Sequence, residues 1–296
     1  MDKMRPAITL LITLSVIASM IALMGVMFKY LDVARAKAEV KASIIQANLL
    51  SSDVSNLLRR TLGKNPSKST MLTLFETPLG FGALNGEFGM SISCEPLANR
   101  FNISWLGMDG KKGMQKHYDK SLELFEMLSD RANLREPNKL FEMILAELKH
   151  KSGTTFGLQR RINKKKGIIT FKKFQHILDD YRYEVDDKKV YSIAWQKYFT
   201  FGHNTTKLDG DFISEELLAF MYDIELQIVR EDFVRGELKT FLQDNGEDIN
   251  AYKEIFSPKT LAIARCKTAY SFREGSYGFS FNYMNGRVEN FEFVGE

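Results

Sequence analysis

Cysteine is almost missing from this sequence: Cys94 and Cys266 are the two in 296 residues. That excludes a disulfide-dense scaffold and any zinc site built on four cysteines or a closely spaced pair, and leaves room for one bridge at most. An excess of one charge is missing too. Forty-one Lys plus Arg against 37 Asp plus Glu gives +4, too weak a field for a dedicated nucleic-acid binder. Histidine is scarce, with His117, His150, His176 and His203 scattered singly. His176, on a helical segment beside charged residues, reads as a solvated or partly packed side chain. No Walker loop, Gly-x-Ser-x-Gly elbow or His-Glu-x-x-His helix is present, so no constellation for catalysis can be assembled and the chain is expected not to be an enzyme.

From Pro6 to Phe28 charge is missing altogether, over 23 residues. As a helix this run spans roughly 34 Å, enough to cross a hydrocarbon core of about 30 Å. Lys3 and Arg5 precede it and Lys29 follows, so the positive-inside rule puts the amino terminus in the cytoplasm and the bulk of the chain outside. A cleaved signal peptide calls for a shorter apolar region and a polar mature start. Here helical character continues without Pro or Gly until Gly63. Val33, Lys37, Val40, Ile44, Ala47, Leu50, Val54, Leu57 and Thr61 recur at steps of three and four, predicting a mostly apolar stripe on an otherwise polar stem. Gly63 supplies a left-handed C-cap and Pro66 blocks continuation. Span and stem read as one rod about 85 Å long. A single-pass receptor could carry such a rod, but the five residues MDKMR leave no cytoplasmic domain to receive a signal.

Beyond the rod, Leu84–Cys94 alternates as a strand and Arg100–Leu106 reads as a shorter one. Helical periodicity then runs over Met114–His150, broken at Glu136-Pro137, and over Phe171–Tyr183, Lys188–Phe199 and Ser214–Gln243, the last with a Ser N-cap and acids in its first turn. Strand character returns over Ala269–Val294, with Asn285-Gly286 as a hairpin signal. Early strands separated from late ones by helix imply an α+β fold in which a helical domain is inserted into an antiparallel sheet. Cys94 and Cys266 flank the insertion beside the two strand regions. In an oxidising compartment they are candidates for a bridge if the early and late strands pair.

A short basic leader, an apolar helix entering at once and an amphipathic continuation packed on an exported domain resemble the pilin and pseudopilin superfamily. In that family a prepilin peptidase cuts on the cytoplasmic side of the apolar helix, usually after Gly. Here the resemblance implies a cut around Pro6, Ala7 and Ile8, with no Gly. Most members carry Glu five residues into the mature chain; this sequence has Leu11 or Ile12 there. The large K-type minor pseudopilin of type II secretion lacks that Glu and has a helical domain inserted in its sheet, and the chain resembles it in both respects. A looser likeness covers residues 170–224, where Leu208-Asp209-Gly210-Asp211 stands in place of an Asn-rich segment.

The resemblance implies a leader at 1–6, a membrane helix at 7–28, a stem at 29–63, a sheet domain at 64–106 with 262–296, and an inserted helical domain at 107–261. It implies that Leu10, Leu11, Leu14, Ile17 and Ile21 pack in membrane and then filament, and that Val40, Ile44, Ala47, Val54 and Leu57 fasten the stem to its sheet. The implied role is a cap at the pseudopilus tip that helps start assembly. Implied partners are other minor pseudopilins, an inner-membrane assembly platform and the prepilin peptidase, with the chain single-pass in a bacterial inner membrane and its carboxyl-terminal domain periplasmic.

Two charge clusters stay open. Acids gather at Asp179, Asp180, Glu184, Asp186 and Asp187, and at Asp209, Asp211, Glu215 and Glu216. Near predicted helix ends they complement helix dipoles; no EF-hand register fits, since Ile213 in the eighth position puts Thr206 first and Leu217 twelfth. No cofactor follows from the residues, although the resemblance to calcium-binding K-type members keeps calcium as an alternative, with Asp209, Asp211 and Glu215 as the candidates. Lys149–Lys173 holds nine Lys or Arg and no acid. It reads as a solvated loop, with nucleic acid a less favoured partner because only Phe156 and Phe171 could stack. That run favours the alternative of a minor pilin in a type IV pilus or DNA-uptake machine; the remaining alternative is a single-pass periplasmic sensor or binding domain.

Overall fold

The structure is a computed structural model that describes residues 5–63, 66–82, 88–149, 167–202, 205–272 and 275–294. His150, His203 and most of the basic run lie outside them.

Helix α1 (Arg5–Leu62) is unbroken over 58 residues. Its Pro6 falls in the first turn, where the missing N–H costs nothing. Gly63, at φ +64°, ends it by donating its N–H to the Arg59 carbonyl at 3.1 Å. A short helix α2 (Lys68–Glu76) follows. It starts because the Ser67 side chain accepts from the Thr70 N–H, the usual way of satisfying an orphan donor. Neither α2 nor the next strand, β1 (Leu79–Gly82), is foreshadowed by the sequence reading.

The sheet is completed by β2 (Phe88–Pro96) and by three carboxyl-terminal strands, β5 (Ile263–Phe272), β6 (Gly275–Met284) and β7 (Arg287–Val294). Its order is β1-β2-β5-β6-β7, every pair antiparallel. Since β2 and β5 are neighbours, everything between them is an insertion. Asn285, at φ +50°, and Gly286, at φ +89°, make the tight turn between β6 and β7, the conformation for which an Asn-Gly pair is suited.

The insertion begins with β3 (Phe101–Asn102) and a 3-10 turn at Ile103–Gly107, not the seven-residue strand expected there, because the Asn102 side chain accepts from the Ser104 N–H and winds the chain up. Helices α3 (Gln115–Arg131), α4 (Pro137–Lys149) and α5 (Phe171–Val185) follow. The segment expected as one helix over Lys188–Phe199 is a 3-10 turn at Lys188–Ser192, a single-turn helix α6 (Trp195–Tyr198) and a strand β4 (Phe199–Thr200) that pairs in parallel with β3. That over Ser214–Gln243 splits into α7 (Glu215–Tyr222), α8 (Leu226–Asp232) and α9 (Leu238–Asp244). The chain turns left-handed at Asp223 (φ +52°) and Gly236 (φ +90°), which no helix continues through.

Two cores result. One fills the helical insertion around Phe101, Trp105, Phe174, Trp195 and Phe199. Residues Phe101, Ile103, Trp105 and Leu106, grouped with the sheet by the sequence reading, pack here. The other lies between the rod and one sheet face, with Ala47, Leu50, Val54, Leu58 and Leu62 of α1 against Ile92, Tyr270, Phe279, Phe281 and Tyr283. Phe212, on a 3-10 turn of the insertion, reaches into this second core and meets Phe75 of α2 edge-on at 4.9 Å.

Tyr270 fastens rod to sheet: its buried hydroxyl donates to the Ser43 carbonyl at 2.7 Å. Tyr270→Phe removes that bond and is expected to cost about 1–2 kcal/mol, read from chemical denaturation of the full chain in detergent.

Candidate functional site

Functional meaning concentrates in two places, the bare part of the rod and the junction where the insertion leaves and rejoins the sheet. On the rod, Leu10, Leu11, Leu14, Ile17 and Ile21 are all exposed, Leu10 by 72%. Water would not tolerate such a surface uncovered. Among the described residues one helix is long and apolar enough to cross a membrane, within Leu10–Leu62, and none of its apolar window is buried in the protein. Two of its hydroxyls suit lipid: Thr13 donates to the Leu10 carbonyl at 2.9 Å and Ser19 to that of Ser15 at 2.8 Å, so neither is left unpaired in a medium without water. Pro6, Ala7 and Ile8 lie in the first turns of α1, and their side chains are outside those described.

Along the stem the packing face is shifted from the expected one. Ala47 and Val54 are buried and Leu57 is partly buried against the sheet. Val40 and Ile44, expected inward, are 45% and 37% exposed, while Ser43, at 0%, takes the inward position. The cause is close approach: a small side chain there lets β5 bring Tyr270 onto the helix backbone, and the Ser43 hydroxyl turns back to the Val40 carbonyl at 2.8 Å.

At the junction, Cys94 on β2 stands opposite Cys266 on β5. The two are joined by a disulfide, both largely buried, across a sequence separation of 172. The insertion's two connections are held by Asp209. Its N–H donates to the Ala98 carbonyl at 2.8 Å on the outward connection. Its carboxylate accepts from the Leu261 N–H at 2.7 Å on the return and from the Asp211 N–H at 3.2 Å. Burial pushes the Asp209 carboxyl up to about 7, with Asp211 adding to the rise and the two N–H donors opposing it.

A carboxyl whose pKa is raised on folding keeps its proton where the unfolded chain, near 3.9, has lost it, so stability falls as pH rises from about 4 to about 7. Asp209→Asn cannot titrate. Between pH 5 and pH 7.5 the wild type should therefore lose about 2–3 kcal/mol more than the variant, measurable by denaturation at the two pH values.

The acids named as calcium candidates have partners within the protein. Calcium takes six to eight oxygens, yet both Asp209 oxygens accept backbone N–H groups, Asp211 accepts from the Thr260 hydroxyl at 3.2 Å, and Glu215 turns to Arg230 at 3.7 Å. In the other cluster Asp187 accepts from the Arg135 and Lys189 N–H groups, and Glu184 pairs with Lys139 at 3.0 Å. Among the described residues no group of three His, Cys, Asp or Glu is placed to hold a metal. His117 is buried edge-on to Trp105 with Nε2 at 2.7 Å from the Thr206 carbonyl, and burial holds its imidazole below the usual range. His176 is exposed on α5.

No protein-family model matches the sequence, and no curated protein matches it. Among solved structures, a chain in the crystal structure of the GspK-GspI-GspJ complex from the type 2 secretion system of enterotoxigenic Escherichia coli is similar, with a TM-score of 0.57 at 10% sequence identity, over 89% of this chain and 99% of that one. The two share a fold, which in this chain is a long amino-terminal helix, an antiparallel sheet and a helical region.

Proposed function

We propose that this chain is a minor pseudopilin of the GspK kind, anchored by α1 in a bacterial inner membrane with its sheet and helical insertion in the periplasm. The observation that carries the proposal is the structural likeness to a chain of the GspK-GspI-GspJ complex over nearly the full length of both. An exposed apolar half-rod and a buried amphipathic half belong to a subunit that waits in lipid and later packs among other helices. Function is then mechanical. Leucines and isoleucines at Leu10, Leu11, Leu14, Ile17 and Ile21 exchange lipid for sister helices, and the bulky insertion, tied to the sheet by Asp209 and Phe212 at the base that the disulfide staples, occupies the space above, so that the subunit sits at the filament tip.

Partners on this reading are other minor pseudopilins, the assembly platform and the prepilin peptidase. Removing the chain from its host is expected to leave secreted enzymes in the periplasm, and the full-length protein should restore their release while recovering small pilin-like subunits with it from detergent extracts. Normal release in its absence would overturn the proposal. The basic run Lys149–Lys173 favours DNA uptake as the second reading; reversing its charge should abolish transformation under that reading and leave secretion unchanged under the first.

A further inference from the structure

A cavity of about 360 Å³ opens where the sheet meets the helical insertion. Four cations line it, Arg100, Lys197, Arg265 and Lys267, against two acids, Glu95 and Glu216. One of the acids is already engaged: Glu216 pairs with Lys197 at 3.2 Å and with Arg230 at 3.6 Å. Arg265 makes only long bonds, 3.4 Å to the Asn282 side chain and 3.4 Å to the Phe201 carbonyl. Lys267 stands two residues further along β5, exposed on the same face.

Arg100 is the group without an answer. It is partly buried, its Nε is shielded from solvent and has no hydrogen-bond partner, and no hydrogen bond or ion pair reaches its guanidinium among the described residues. Burial pulls its pKa below the ordinary value, with Glu95 and Glu216 favouring the charge and Arg265 and Arg235 opposing it. An arginine nevertheless stays protonated in a protein. A shielded donor on a permanent cation is costly unless the guanidinium finds an acceptor, and Arg100 lines a cavity with surplus positive charge.

We propose that this cavity binds a carboxylate, which Arg100 receives with its guanidinium fork while Arg265 and Lys267 complete the positive wall. Leu97, Phe199 and Phe201 supply an apolar side for the aliphatic stem that carries the carboxylate. The apolar side favours a carboxylate carried on an aliphatic stem over inorganic phosphate, which has no apolar part to bury. The carboxylate comes from a free small acid or from a Glu or Asp side chain of a docking protein. The site stands on the junction's geometry and does not depend on the proposed function.

The test uses the full chain in detergent and three probes in calorimetry: glutarate, an end-blocked Gly-Glu-Gly peptide, and inorganic phosphate. Glutarate or the peptide is expected to bind, with at least tenfold loss in Arg100→Met and a several-fold loss in the exposed Lys267→Met, which guards against a folding defect at Arg100. Without ligand, Arg100→Met should be as stable as wild type or more so, since an unpaired charge has gone. Tighter binding of the peptide assigns the site to a protein partner's acid, and tighter binding of glutarate to a free acid. Absence of binding, binding untouched by both substitutions, or preference for phosphate overturns the proposal.

Discussion

Leu14→Arg combined with Ile17→Arg is expected to release the chain from the membrane fraction. Between Pro6 and Phe28 the sequence has eleven Leu, Ile, Val or Phe, each favouring insertion by about 0.3–0.6 kcal/mol, so their sum is roughly 5 kcal/mol. An arginine at the centre of a span costs about 2.5–3.5 kcal/mol. Two of them, together with the two apolar residues lost, outweigh that sum. Both positions are exposed on α1 and touch neither core, so the sheet and the insertion should fold as before. Alkaline carbonate extraction reads the effect: wild type in the pellet, the double variant in the supernatant. Retention of the double variant in the pellet would mean that something other than the helix holds the chain there.

Replacing Cys94 and Cys266 by alanine should lower stability by roughly 5 kcal/mol. The bond closes a loop of 172 residues by sequence separation, and the entropy that closure removes from the unfolded chain grows with the logarithm of loop length. For a chain of this size each kcal/mol moves the thermal midpoint by about 2–4 °C, so a fall on the order of 10–20 °C is expected. Dithiothreitol should reproduce the shift in the wild type and leave the double alanine variant unchanged. A midpoint that moves by less than a few degrees would show that the β2 and β5 pairing already constrains the unfolded chain.

What could be read from the sequence follows from how local each signal is. The uncharged run, the Gly63 stop, the Asn285-Gly286 hairpin and the strand-helix-strand order are written within neighbouring residues, and α1, the β6–β7 turn and the inserted topology follow from them. Which face of the stem packs is not local. Helical periodicity favoured Val40 and Ile44, but the contact of α1 with the sheet starts at Ser43, where a small residue permits contact with Tyr270, and continues through Ala47 to Leu62. Gly236 carried a visible signal against one long helix after Ser214, which apolar periodicity there masked, and Ser67 was a single capping residue that signals α2. Arg100, Arg265 and Lys267 are far apart in the chain, so only the pairing of β2 with β5 brings them to one cavity. The Asp209 clamp is hidden for the same reason, because its partners belong to opposite ends of the insertion.

Mass spectrometry of the amino terminus of protein extracted from native membranes bears most directly on whether α1 is a retained filament helix. A chain beginning at Ala7 or Ile8, with a methylated amine, is the expected result. A chain that still begins at Met1, or one that begins downstream of Lys29, would contradict it.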